Sequence, residues 1–247
     1  AGTSAPDGTT GFVVARGGTF HLNGASVTCT GGSYVFPAGN TGGGASNFIL
    51  DSGTFDGGAK EALNAYGATG TTTINGGLFV CGDFRISQSA TGTVNLNGGT
   101  LRATRLKHSN TVEIVNFNGG TLQAKSSVSD LITTSVDAVN IKANGAVIDS
   151  NNFNVTIPKA LTEDSGSTGG GLTKKGGGIL DLTAANTYTG TTNINGGVLR
   201  ISDNTQLGAT SAPVTVNGGQ FGVLGTSIPS IGSLGRTFTY TTGGFHV

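Results

Sequence analysis

The side chains able to do chemistry in this 247-residue chain are 13 carboxylates, 13 lysines and arginines, three histidines and two cysteines. Cleaving a glycan would need two carboxylates facing one bond, with or without calcium, or a basic group beside them. The one adjacent acidic pair, Glu163-Asp164, falls in the turn-rich run 162–171 and reads as part of a solvated loop. Asp56 and Asp149 share an outward phase but lie far apart along the sequence. His21 sits between Phe20 and Leu22, and His246 is close to the last residue. His108 follows Arg102, Arg105 and Lys107, the one local basic cluster. That cluster has two readings: a solvated face, or a patch for anionic glycans or an acidic partner. No Ser-His-Asp spacing, phosphate-binding loop, dinucleotide fingerprint or calcium nonapeptide is present. The expectation is therefore no catalytic residue, no metal site, no cofactor and no enzyme.

The elements that carry these residues are set by self-similarity. A turn recurs with apolar residues on both sides: Ile74-Asn75-Gly76-Gly77-Leu78, Leu96-Asn97-Gly98-Gly99-Thr100-Leu101, Phe117-Asn118-Gly119-Gly120-Thr121-Leu122, Ile194-Asn195-Gly196-Gly197-Val198 and Val216-Asn217-Gly218-Gly219-Gln220-Phe221. The asparagines step by 97−75 = 22, 118−97 = 21 and 217−195 = 22. The flanks alternate with period 2, as strands with one buried face do. Four residues after the turn Asn or Asp stand Val27, Phe55, Phe79, Leu101, Leu122, Ile148, Leu199 and Phe221, which predicts one stacked apolar column.

A period near 22 with glycine turns predicts an all-β parallel β-helix of roughly 11 coils (247/22). An antiparallel meander is the alternative, because Asn-Gly is also the strongest hairpin signal. At the turns Asn75, Asn97 and Asn118, and with them Asn195 and Asn217, are candidates for structural turn or ladder roles, amide bonded to amide between coils. The sequence divides into coils over 1–161, a loop or joint over 162–171, coils over 172–224, and a cap or next module over 225–247. The run 59–66, Ala-Lys-Glu-Ala-Leu-Asn-Ala-Tyr, is the one convincing helix former. Cys29 and Cys81 fall on the same inward phase, two coils apart if the register holds and neighbours if 31–47 is a loop, so a disulfide stays open.

Composition supports a scaffold. Glycine is 45 of 247 residues and charged residues are 11%, against roughly 7% and 25% in ordinary globular proteins. The balanced charge gives no electrostatic footprint for nucleic acid, and no apolar run approaches the ~20 residues of a spanning helix. With no methionine and a polar start at Ala1-Gly2-Thr3-Ser4-Ala5-Pro6, the sequence reads as a processed product or a piece of something longer.

The stretch 170–200 carries Leu172-Thr173-Lys174, Leu180-Asp181-Leu182, Asn186-Thr187-Tyr188-Thr189-Gly190 and Asn195-Gly196-Gly197. In these landmarks it resembles the autotransporter-associated β-strand repeat, also called the passenger-associated transport repeat. The resemblance implies a right-handed β-helix, export to the cell exterior, and a role in adhesion, autoaggregation or surface structure. Autotransporters add a membrane barrel that this sequence could not build, so the resemblance fits a passenger fragment or another mode of anchoring. The functional expectation is a secreted surface rod, structural or adhesive, with self-association through its ends and a host-surface or glycan ligand as partners. The competing expectation is a β-helical protein that binds or cleaves polysaccharide.

Overall fold

The computed structural model of the chain describes residues 11–13, 17–38, 44–108, 111–225, 228 and 230–246. The start at 1–6 and Gly42 and Gly43 lie outside the described residues. The fold is an all-β parallel β-solenoid of about nine turns. It divides into two compact units, residues 1–116 with 135–138 and residues 117–134 with 139–247.

The first unit contains β1 (Gly11–Val13), β2 (Thr19–Leu22), β3 (Ser26–Thr28), β4 (Tyr34–Phe36), β5 (Ser46–Leu50), β6 (Thr54–Asp56), β7 (Glu61–Leu63), β8 (Gly70–Ile74), β9 (Leu78–Val80), β10 (Phe84–Arg85), β11 (Gly92–Leu96), β12 (Thr100–Ala103), β13 (Leu106–Lys107) and β14 (Glu113–Phe117), the last residue of which belongs to the second unit. Each coil supplies one strand to each of three sheets, ordered β1-β4-β7-β10-β13, β2-β5-β8-β11-β14 and β3-β6-β9-β12. Pairing is parallel and in register: Val27 stands over Phe55, Phe55 over Phe79, and Phe79 over Leu101. β5, β8, β11 and β14 share one burial rhythm, in which alternate residues are buried. That is the period-2 pattern of a strand with one face in the core. Phe48, Phe55, Phe79 and Phe84 are fully buried, with ring centroids 4.7 to 5.7 Å apart. Burying each such ring contributes on the order of 2 kcal/mol.

The second unit contains β15 (Thr121–Ala124), β16 (Ala138–Ile141, the first residue of which belongs to the first unit), β17 (Ala146–Asp149), β18 (Val155–Ile157), β19 (Thr162–Glu163), β20 (Leu172–Lys175), β21 (Ile179–Leu182), β22 (Thr192–Ile194), β23 (Val198–Ile201), β24 (Val214–Val223) and β25 (Phe238–His246). β15, β17, β20, β22 and the first part of β24 form one series. β18, β21, β23 and the last part of β24 form a second.

Several expectations change. The coils number about nine rather than 11 because their length varies. The step is 47−19 = 28 from β2 to β5, 71−47 = 24 from β5 to β8, and 192−172 = 20 from β20 to β22. The antiparallel alternative fails, since the strand pairs among the described residues are parallel. The helix expected at 59–66 is instead β7, with Ala62 paired to Val35 and Phe84. Its intrinsic helix propensity is outweighed by backbone hydrogen bonds to the coils on either side, from Ala62 N to Asp83 O (2.9 Å) in one and from Ala65 N to Ala38 O (2.7 Å) in the other. Among the described residues the helical elements are two short 3-10 turns, Asn204–Leu207 and Ile231–Leu234.

The apolar column also divides. Ile148 continues to Lys174, Ile194 and Val216, whereas Leu199 and Phe221 stand in a separate column with Val155 and Leu180. The Asn-Gly turn has moved to the next corner. Asn144-Gly145 precedes the β17 series, and Asn195-Gly196-Gly197 follows it.

Candidate functional site

The Asn-Gly-Gly turns bring backbones of successive coils too close for a side chain. A Cβ on Gly76 would lie 2.1 Å from Asp51 O, and one on Gly98 2.5 Å from Asn75 O. At these two positions glycine is required by contact between coils, since neither has positive φ. The asparagine side chains beside them point along the corner. Asn97 Nδ2 donates to Asn75 Oδ1 (2.9 Å), and Asn75 Nδ2 donates to Asp51 Oδ1 (2.8 Å). Asp51 Oδ2 is hydrogen-bonded to His21 Nε2. The Asn75 and His21 bonds hold the Asp51 carboxyl below its ordinary range.

The other expected turn residues do not extend this one ladder. Asn118 Oδ1 accepts from Asn144 N (3.3 Å), Asn195 N donates to Lys174 O (2.9 Å), and Asn217 Oδ1 accepts from Thr242 Oγ1 (3.4 Å). A second ladder runs on a strand face. Asn116 Nδ2 donates to Asn95 Oδ1 (2.8 Å), and Asn95 Nδ2 to Thr73 Oγ1 (3.2 Å). Its sequence signal is the alternation Thr93-Val94-Asn95-Leu96, in which Asn95 falls between two apolar residues.

The basic cluster is neutralised within its own unit. Lys107 Nζ lies 2.8 Å from Glu61 Oε1 and 3.1 Å from Asp83 Oδ2; Arg105 Nε lies 3.2 Å from Asp83 Oδ1. Arg85 adds a further pair to Glu61 (2.8 Å). His108 turns away to Glu113, with Nδ1 2.8 Å from Oε2. Arg102 lies on β12 and is half-buried. The cluster is thus a set of ion pairs linking coils, and its charge faces carboxylates as well as solvent.

Glu113 joins residues that are far apart in sequence. Its buried carboxylate accepts from Ser87 Oγ (2.7 Å) and Ser87 N (3.2 Å) as well as contacting His108, and Thr111 hydrogen-bonds to Ser87 Oγ. The three residue types of a hydrolytic triad meet here in a different order. The serine donates to the carboxylate instead of to the imidazole, so no base activates it. Glu163 and Asp164 do not converge. Glu163 Oε1 accepts from Gly169 N (2.8 Å) and Thr189 Oγ1, which holds its carboxyl low, while Asp164 Oδ1 accepts from Gly166 N (3.0 Å) and Oδ2 faces Lys142. Cys29 and Cys81 are not joined in a disulfide, and Gly57 stands between them in the register. Burial pushes the Cys29 thiol up.

Lys174, the residue least expected in the core, is fully buried between Ile148 and Ile194. Its Nζ faces Ser150 Oγ (2.8 Å), Lys175 O (2.8 Å), Gly176 O (2.7 Å) and Gly196 O (3.1 Å). The ammonium therefore satisfies inward-facing carbonyls of two stacked glycine turns. Burial lowers its pKa to about 8, partly opposed by the Asp149 carboxylate. Among the described residues, no three or more His, Cys, Asp and Glu side chains form a group that could hold a metal, and no helix is long and apolar enough to cross a membrane.

The chain is thus a parallel β-solenoid whose polar side chains tie coil to coil. Residues 172–201 match the passenger-associated-transport-repeat family. The chain is also similar to the adhesin BmaC autotransporter of Brucella suis biovar 1 (strain 1330), with 33% identity over 119 residues covering 44% of this chain. The match spans 3% of the length of that adhesin. No solved structure matches the chain. Together the repeat at 172–201 and the adhesin similarity support an autotransporter passenger domain with the associated repeat, and export to the cell surface or extracellular space.

Proposed function

We propose that this passenger is a structural and adhesive surface scaffold that performs no catalysis. The observation that carries this reading is how the reactive side chains are used: Glu113, Ser87, Glu61 and Asp83 bond across coils and His108 bonds to Glu113, instead of converging on open space. Support comes from the adhesin similarity. The test is adhesion of cells displaying the chain, against cells displaying an unrelated β-solenoid, to host cells and matrix. Equal binding by the two overturns the adhesive part. A lyase and hydrolase panel on acidic polysaccharides tests the rest, and turnover there would restore the competing enzymatic reading.

A finer part of the proposal is assembly of copies end to end into an extracellular fibre. It draws on β25, where Tyr240 and Phe245 are 40% and 49% exposed and an apolar strand edge invites pairing. Electron microscopy at high protein concentration should show filaments; uniformly single particles would remove this part.

A further inference from the structure

In the second unit the chain departs from its strand-turn-strand coil between β15 and β16, and the departing segment lies along β18. Val128 N donates to Asn154 O (3.2 Å), Thr156 N to Val128 O (3.0 Å) and Leu131 N to Thr156 O (2.9 Å), so this segment pairs with β18 through a single parallel bridge, Val128 to Val155. Beside that bridge opens a cleft of about 300 Å³ lined by Ser127, Val128, Ser129, Asn154, Val155, Thr156 and Asp181.

Its polar groups are fixed but not used up. Ser127 Oγ accepts from Asn154 N (3.2 Å), which leaves its own proton to donate. Asn154 Oδ1 accepts from Ile179 N (3.1 Å), which orients the amide and leaves both Nδ2 protons. The hydroxyls of Ser129 and Thr156 make no hydrogen bond with the described residues. Asp181 is clamped by Arg200, Nε to Oδ1 and Nη2 to Oδ2, both 2.7 Å, and each carboxylate oxygen retains a lone pair. The Arg200 charge offsets that of Asp181. The cleft thus combines three hydroxyls, an amide and an oriented carboxylate around apolar Val128 and Val155, with no net charge from the pair.

We propose that this cleft binds one neutral hexose unit of a glycan. A pyranose matches it chemically: one ring face presents C–H groups to valines, and its rim presents hydroxyls that both donate to Asp181 and accept from Ser127, Ser129 and Asn154. An acidic sugar gains nothing, because Arg200 is already engaged. Without an aromatic ring to stack on the sugar, the affinity is on the order of 1 mM. The inference supplies a ligand class for the adhesive reading and rests on it.

The test is a titration of the full chain, followed by amide NMR shifts, with neutral glucose-, galactose- and mannose-type oligosaccharides and with heparin as the acidic comparator. Saturable shifts at Ser129, Asn154 and Thr156 with at least one neutral sugar are expected. Ser129→Trp, which fills the cleft from an exposed position, and Asn154→Ala should each weaken binding at least about tenfold, with the thermal midpoint of Ser129→Trp unchanged. No saturable shift with any neutral sugar, binding unaltered in both variants, or shifts there with heparin alone would each overturn the proposal. Adhesion measured on the same variants keeps the two readings apart. Adhesion without sugar binding sinks only the cleft, and sugar binding without adhesion sinks only the adhesive function.

Discussion

The Asn97-Asn75-Asp51 chain on the corner of the first unit is built from single hydrogen bonds between exposed side chains, each worth about 0.5–1.5 kcal/mol. Replacing Asn75 by Ala removes both of its bonds and should cost about 1–2 kcal/mol in chemical denaturation. Replacing Asn97 as well should add less than its separate cost, since the bond they share is already gone. Lys174 makes a sharper case. Its proton leaves at about 8 in the folded chain, below the ordinary 10.5 it retains when unfolded. Between those values the unfolded chain binds more protons, so the contribution of this residue to stability rises with pH across that window. Lys174→Met leaves the carbonyls of Lys175, Gly176 and Gly196 without this donor and should cost about 1–3 kcal/mol at neutral pH. The stability gap between wild type and variant should widen from pH 8 to 10, measured by denaturation at each pH. A constant gap would remove the assignment. The sequence shows Lys174 only as a polar residue beside Thr173, because the apolar alternation that marks the core says nothing of an ammonium reaching two turns.

At the level of strands and turns, the glycines separate into two kinds that substitution can tell apart. Gly98→Ala places a methyl 2.5 Å from Asn75 O, so backbone has to move. Gly24 has φ of 79° and open space around it. Gly24→Ala should then cost about 1 kcal/mol, the strain of left-handed backbone, and Gly98→Ala clearly more, with broadened NMR signals over 75–77. The strands themselves were readable from the sequence, since Thr93-Val94-Asn95-Leu96 displays the alternation later seen as burial in β11. So were the turns, whereas the separation of Cys29 from Cys81 stayed open between two coils and one until the register of β3, β6 and β9 placed Gly57 between them. What the sequence could not reveal was which corner a turn occupies. Asn144-Gly145 and Asn195-Gly196 look alike as text, and only pairing between coils distinguishes them. Residues 59–66 misled for a related reason: local propensity is weak beside hydrogen bonds to two neighbouring coils. The Ser87-His108-Glu113 meeting was hidden because its members approach only once the coils are stacked.

For the molecule as a whole, a solenoid gains its stability from contacts between adjoining coils, so damage should remain local. Phe79→Ala removes a fully buried ring from the Phe48-Phe55-Phe84 cluster and should cost about 3–5 kcal/mol. Native-state hydrogen exchange should quicken over β6, β9 and β12, while β20, β22 and β23 keep wild-type protection. Quickening throughout would mean that the chain opens as one cooperative block. The buried lysine also bears on life outside the cell. An extracellular protein that stiffens its turns with dissolved calcium depends on the composition of its surroundings. The corner held by Lys174 carries its positive charge covalently, so dilution, chelators and other organisms competing for metal cannot strip it away.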